Sequence, residues 1–557
     1  MKLTRFEKIA LIVLTIAMWA ALALYAGAPI FSDEFMYIDI GLRNYQEPSY
    51  GNRYFHIYLE KLFMNLAATP LQGTRIFWGF IIALTLGMVY YNARTFLKGS
   101  NPLHGLLAVA IFLTFPLMTD YSGEPAVDLT AMLMVTAYFT VYLFGLRNPQ
   151  KRPLALGILG TLIFLSFKTK ETTVFVNLML LGYMLDDEGR WQWRNLLAMI
   201  KPLLIGLGTG ILIFMLMDGF ILGDPFFAIR PSTFGAIFTH YDFGKVFFDP
   251  PSSWYRQYFL DELLLPFLLL VIGGLRLRDE LDVPHKLVWM YPLLMIIFVT
   301  LNMLKIPWGF IERFYFPALP MLAALAPQFL RFEWPVDKRS WLGFGLLLAL
   351  AGGLVFGLRA LMIPYAASMS FDYGELQDSL YYPVLLSLLL AYVIWVKRIN
   401  WLNVVLPLFC IAAMLLSPLM YTYKYFYRVP RINERYEDLM YPFSTFNDDL
   451  ADIQPDDRLY VSPRMDAEYG FLSEDPNDIV AMYNFYYDAR ITPANVFMGY
   501  TQEALVKQLT LKDQTHAILT QADWEYIQQD EEGLVAVEEQ YVMLPDPQGR
   551  LVLLVHQ

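Results

Sequence analysis

The sequence predicts a polytopic α-helical membrane protein of about 13 transmembrane helices with a small C-terminal α/β domain. Three observations lead there. Of 557 residues, 57% are hydrophobic and only 17% are charged, with a mean hydropathy of +0.41; a soluble domain is nearer ~45–50% apolar and ~25% charged. Apolar runs able to cross about 30 Å of hydrocarbon recur through most of the chain. The charge is also divided: from Tyr421 onward there are 24 acids against 10 Lys and Arg, a net of -14, and the rest carries +3. This balance excludes a disordered chain, a nucleic-acid binder with a basic surface and an ordinary cytosolic enzyme.

Lys2, Arg5 and Lys8 precede an apolar stretch from Ile9 to Pro29. It is too long for a signal-peptide core and reads as a retained signal anchor. Further spans are expected near 76–97, 103–119, 126–146, 153–168, 171–185, 196–217, 259–275, 287–304, 314–330, 341–362, 380–396 and 401–421. The loops holding Arg94/Lys98, Arg147/Lys151/Arg152, Arg190/Arg194, Arg276/Arg278/Lys286, Arg331/Lys338/Arg339 and Lys397/Arg398 alternate with loops poorer in bases. With a cytoplasmic N-terminus all six fall on the cytoplasmic side of the plasma (inner) membrane, and an odd span count places the C-terminal domain outside the cytoplasm.

Three outer segments stand out. Residues 31–75 carry aromatics and leucines at helical spacing with charges between them, as expected of helices lying in the interface plane. The second, DYSGEPAVD, runs from Asp120 to Asp128, and the third, rich in Phe, Pro and Tyr, from Asp218 to Tyr258. Domain boundaries are placed at 1–425 for the membrane part and 426–557 for the soluble part. In the latter RLYVS, THAILT and GRLVLLV read as strands, and NDIVAMYNFYYDA and TQEALVKQLT as helices. Cys410 stands alone, so neither a disulfide framework nor a thiolate metal cluster is expected. No phosphate-binding glycine loop and no repeat of 20–50 residues occurs.

Candidate chemistry begins at Asp33-Glu34, directly after the first span. After Ser32, adjacent acids suit a helix N-terminus; a carboxylate facing a half-dry cavity also suits a general base. Tyr37 follows Asp33 at i+4, on the same helical face.

An acidic pair at the mouth of the first outer loop, followed by tyrosine, resembles the GT-C membrane glycosyltransferases, in the group containing protein O-mannosyltransferases and the lipid A aminoarabinose transferase. NRYFHIYLEKLF, TPLQGTRIFWGF, SGEPAVDLTAML, FLSFKTKETT, PSSWYRQYFLDELLLPFLLL and KIPWGFIERFYFPALP resemble successive segments of that group, in order along most of residues 30–325. The resemblance implies a GT-C-like bundle and transfer of a sugar from a polyprenyl-phosphate donor to a lipid, glycan or protein acceptor on the outer face. Asp33 takes the position of the catalytic acid, with Glu34 as second candidate and Glu124 at the position of the second outer-loop acid, where related members more often carry Asp. Asp128, at i+4 from Glu124, shares its face. Candidates for the donor phosphate are Lys168, Lys170, Arg313 and Arg53, and for the sugar or lipid Tyr315 and Trp308. His56 occupies a position where the aminoarabinose branch has an acid that helps hold a metal; with His240 it is a candidate ligand pair for a divalent ion, the one cofactor implied. Glu60 follows His56 at i+4.

A multi-span transporter or flippase without glycosyl transfer is the alternative. Transporters place ionisable residues near the bilayer midplane, often in repeated halves; here the informative charges lie in outer loops and at helix ends. An assembly protein leaves the acid and base set unexplained. An oligosaccharyltransferase shares the architecture, but its W-W-D-Y-G signature is absent, Trp524-Glu525-Tyr526 being only an echo.

Overall fold

The structure is a computed structural model. It describes residues 3–25, 32–44, 46, 48–115, 126–185, 189–231, 233, 270–271, 273–275, 277–303, 315–329, 342, 441, 445–450, 457–462, 492–493, 502–510 and 515–557. Among these, four helices are long and apolar enough to cross a membrane: α1 (Arg5–Tyr25), α4 (Pro70–Phe96), α6 (Val127–Arg147) and α9 (Trp193–Leu222). Between α1 and α4 lie α2 (Ser32–Arg43) and α3 (Tyr54–Leu66), joined through a 3-10 turn at Pro48–Tyr50. The further helices are α5 (Pro102–Thr114), α7 (Arg152–Phe167), α8 (Leu181–Met184), α10 (Val283–Met303) and α11 (Leu319–Leu325).

Local chemistry explains these boundaries. Thr69 caps α4, its side chain accepting from the Gln72 amide, with Pro70 in the first turn. Asn101 and His104 form a reciprocal cap ahead of α5, again followed by proline. The last turn of α2 closes on Asn44 at φ 58, a backbone state asparagine tolerates better than most residues. Helices thus form in the first outer loop, as expected. Helix α3 packs against protein rather than lying free: Tyr54, Phe55, His56, Ile57, Tyr58, Glu60 and Met64 are all buried.

The span expected over 171–185 takes another shape. Glu171–Leu180 is a 3-10 helix, and only the turn Leu181–Met184 after it is α-helical. The β-branched Thr172, Thr173, Val174 and Val176 crowd an α-helix. Both the amide and the hydroxyl of Thr173 donate to the Lys170 carbonyl, which starts the tighter winding. Of the spans expected near 259–275 and 314–330, only parts are described; those near 341–362, 380–396 and 401–421 fall outside the described residues, Leu342 excepted.

The bundle core is a large apolar cluster running from Phe77 and Trp78 on α4 through Met132 and Phe139 on α6 to Trp289 on α10 and Leu322 on α11. A second cluster gathers Tyr37, Tyr54, Phe55, Tyr58, Phe164, Phe214 and Phe227 at the end of the bundle where α4 and α6 begin. At the opposite end of α4, Arg94 donates to Glu7 of α1 (3.1 Å) and to the Ser100 carbonyl (2.6 Å), and Ser100 donates to Gln328 (2.8 Å). Leu197, Leu204, Ile205, Leu212, Leu216 and Phe220 of α9 are exposed, an apolar face suited to lipid.

Near the C-terminus a five-stranded sheet has the order β2-β1-β3-β5-β4. The strands are β1 (Arg458–Val461), β2 (Thr492–Pro493), β3 (His516–Thr520), β4 (Tyr541–Pro545) and β5 (Leu551–His556). Strand β1 runs parallel to β2 and β3, while β5 is antiparallel to β3 and β4. The three expected strands are all present, as is the helix expected at TQEALVKQLT, which spans Gln502–Leu509; NDIVAMYNFYYDA lies outside the described residues. Trp524 belongs to the helix Gln521–Gln528 and packs into the core of this sheet with Leu509, Ile527 and Val537.

Helices α7 and α9 approach each other closely at their glycines. A Cβ on Gly206 would lie 1.8 Å from the Gly157 carbonyl oxygen, and one on Gly160 2.3 Å from that of Leu203. Such close approach is how helices associate in lipid, where burial of apolar surface supplies no drive. Gly206→Ala is expected to destabilise the protein by about 1–3 kcal/mol. Gly208→Ala, where nothing lies within 4 Å, should be neutral or slightly stabilising. Thermal unfolding of both variants in detergent checks the contrast.

Candidate functional site

Apart from Tyr315, the expected site residues that the structure describes gather at the end of the bundle where α4 and α6 start and α7 finishes. Three buried polar links hold that end together. In the first, Arg53, just ahead of α3, donates two hydrogen bonds to Glu171, at 2.7 and 3.3 Å. This is the most open of the links, the side chains being 11% and 25% exposed. In the second, Lys170 donates to Asp128 in the first turn of α6, both residues being buried. An acid in that turn also faces the positive end of the helix dipole. In the third, the fully buried Lys168 donates to the carbonyls of Ala228 (2.6 Å) and Gly51 (3.4 Å). Its own carbonyl accepts from the Phe55 amide at 3.1 Å. Asp218 of α9 continues the third link, accepting from the Tyr58 hydroxyl (2.5 Å) and the Ala228 amide (2.9 Å).

His56 sits among them on α3. Its Nδ1 is 2.8 Å from the Thr130 hydroxyl on α6, and its Nε2 is 3.6 Å from a carboxyl oxygen of Glu60. The other Glu60 oxygen accepts from Thr74 of α4 at 3.3 Å. The rings of Tyr37 and Phe77 enclose the imidazole at 5.7 and 5.5 Å. Burial pushes the Glu60 carboxyl up to about 8, against the opposing pull of the Thr74 hydrogen bond. Burial, and then the charge of Arg53, pushes His56 down to about 3. Near neutral pH both groups are uncharged.

The structure thus brings Tyr37, Arg53, Asp128, Lys168, Lys170 and His56 together from separate parts of the sequence. Asp33 and Glu34 lie in the first turn of α2, one turn before Tyr37, with only their backbone described. Tyr315 is buried in the larger apolar cluster with Phe316 and Leu319, away from the Tyr37 cluster. Glu124, His240, Trp308 and Arg313 lie outside the described residues. Lys168, expected on phosphate, is committed here to backbone carbonyls, because a buried ammonium must find acceptors nearby.

The described residues around His56 do not by themselves make up a metal centre, and His240, the other expected ligand, lies outside them. Among the described residues no group of three or more His, Cys, Asp or Glu side chains comes together. A catalytic divalent site takes three protein ligands and an open position, whereas His56 and Glu60 are sealed inside helix packing. Sequence reasoning missed Glu171, Asp218, Tyr58, Thr74 and Thr130. Glu171 was legible, since FLSFKTKETT places an acid directly after Lys170.

No family model and no curated protein sequence matches the chain. Solved structures do. ArnT from Cupriavidus metallidurans bound to undecaprenyl phosphate superposes with a TM-score of 0.58 at 14% identity, over 99% of this chain and 98% of that one. The same protein in the apo state gives 0.55 at 15% identity, over 98% and 97%. The chain has the GT-C fold. The oligosaccharyltransferase of Archaeoglobus fulgidus is more distant, with a TM-score of 0.45 at 10% identity, over 98% of this chain and 74% of that one.

The Glu60 environment generates a pH prediction. Unfolded, its carboxyl loses a proton near 4.5; folded, near 8. Between those values the folded state holds the extra proton, so stability falls as pH rises, and the slope vanishes above 8. His56 acts in the opposite sense only between about 3 and 6.5. From pH 6.5 toward 8 Glu60 is therefore expected to make stability fall as pH rises, the slope flattening as its folded pKa is approached. Glu60→Gln should remove that slope, as read by thermal unfolding across the interval.

Proposed function

We propose that this multi-pass membrane protein is a glycosyltransferase that moves a sugar from a polyprenyl-phosphate donor to an acceptor on the extracytoplasmic face. The observation that carries the proposal is the convergence of Arg53, Lys170 and Asp128 at one end of a GT-C bundle, beside the helix that starts with Asp33-Glu34. A lipid-linked donor enters from the side of the bilayer and needs no nucleotide-binding loop, and the sequence carries none. The N-terminus is assigned to the cytoplasm, which sets this end and the C-terminal domain on the outer side.

In this reading Asp33 is the general base. The acceptor O–H bond gives its proton to the Asp33 carboxylate as the acceptor oxygen bonds to the anomeric carbon. The bond from that carbon to the phosphate oxygen breaks, and the polyprenyl phosphate leaves with the electron pair. Arg53, with Arg313, takes the phosphate. A guanidinium offers the same two-pronged donor face to a phosphate as to a carboxylate, so Arg53 can exchange Glu171 for the donor. Lys170 stays with Asp128 and contributes its charge to the wall behind. Glu34 and Glu124 are the further acids assigned to the acceptor side, and no step runs through a metal.

Two experiments test this. Asp33→Asn should abolish transfer from a radiolabelled polyprenyl-phosphate sugar while leaving yield and thermal stability unchanged; full activity in that variant removes Asp33 from the mechanism. Arg53→Gln and Arg313→Gln should each raise the donor KM roughly tenfold or more, equivalent to about 1.4 kcal/mol. Unchanged donor affinity in both would overturn the phosphate role.

A further inference from the structure

His56 stands where three elements meet. Tyr37 of α2 touches its ring edge-on, Arg53 lies one turn before it on the chain, and Thr130, its hydrogen-bond partner, is two residues after Asp128 on α6. The donors and acceptors around it order themselves in one direction. The Thr74 hydroxyl donates to one Glu60 oxygen. The second Glu60 oxygen faces His56 Nε2 at 3.6 Å, and that nitrogen has no hydrogen-bond partner although fully buried. A proton on this oxygen and a movement of under about 1 Å complete a hydrogen bond to Nε2. Nε2 then accepts, which leaves Nδ1–H to donate to Thr130. Both nitrogens of the His56 ring then have partners, as the interior requires.

We propose that His56 is a positioning residue: without a metal, it ties α3 to α6 through Thr130 and to α4 through Glu60 and Thr74, and so sets the spacing between the Arg53 guanidinium and the Asp128–Lys170 pair. The inference rests on the proposed transferase reading. Misplacement of a binding group by about 1 Å can cost up to a hundredfold in rate, so a link this close to both ion pairs bears on turnover.

Two substitutions separate the halves of the imidazole. The asparagine amide of His56→Asn overlaps Nδ1 and keeps the bond to Thr130. The longer side chain of His56→Gln reaches the place of Nε2 and loses Thr130. Full-length protein in detergent, assayed with a polyprenyl-phosphate sugar, should keep kcat within roughly threefold in His56→Asn and lose roughly tenfold or more in His56→Gln. The two variants should melt close to one another. Glu60→Gln, whose amide donates to Nε2 and whose oxygen accepts from Thr74, should stay near wild type, and Glu60→Ala should not. Equal activity in His56→Asn and His56→Gln overturns the proposal, and so does one metal ion per chain, found by elemental analysis and lost on His56→Ala. A wild type that transfers no sugar defeats the functional reading alone. The tie is then read from a double-mutant cycle of His56→Ala and Thr130→Val on thermal stability, where the absence of coupling overturns it.

Discussion

A lysine with no exposed surface constrains everything around it. The ammonium of Lys168 cannot reach water, so backbone carbonyls must meet it, and those of Gly51 and Ala228 do. The first belongs to the turn before α3 and the second to the turn after α9. Asp218 at the end of α9 adds an acid, and it also takes the Tyr58 hydroxyl of α3 and the Ala228 amide. One buried charge therefore fastens the start of α3, the end of α7 and the end of α9. Arg53 and Lys170 find their acids within the frame this creates.

The ion pairs beside it are a reservoir of charge in a poorly solvated place. Removing one member of a buried pair leaves its partner uncompensated and is far costlier than losing a surface pair. Arg53 and Glu171 differ in keeping some contact with solvent. In the proposed reaction that difference singles out Arg53, rather than Lys168 or Lys170, as the cation to change partners for an anionic donor. The two lysines hold the wall against which that exchange takes place. Small residues at the α7–α9 crossing and the apolar outer face of α9 fit the same end of the bundle into lipid.

Much of this was legible in the residues. Apolar stretches located α1, α4, α6 and α9, because crossing hydrocarbon demands length and composition that few other structures share. Three of the C-terminal strands followed from short β-branched and leucine runs bounded by turns. The order of motifs resembling one enzyme group anticipated the GT-C fold. Other features escaped. The β-branched run after Lys170 read as a span from its hydrophobicity, although its Thr and Val side chains favour a different winding. Strand β4 escaped because its exposed Val542 and Met543 blur the alternation that marks a half-buried strand.

The division follows from range. Composition and periodicity act over one element at a time, so by themselves they determined a membrane bundle with an acidic C-terminal segment and listed the charged residues able to do chemistry. They could not say which charges neutralise one another, since the partners of Arg53, His56 and Lys170 lie 118, 74 and 42 residues away. Tertiary packing decided that Lys168 braces the backbone, that His56 meets Thr130 of another helix, and that Arg53 faces Glu171. The reason is the low dielectric inside the bundle, where every polar group must be satisfied by whatever the fold brings beside it.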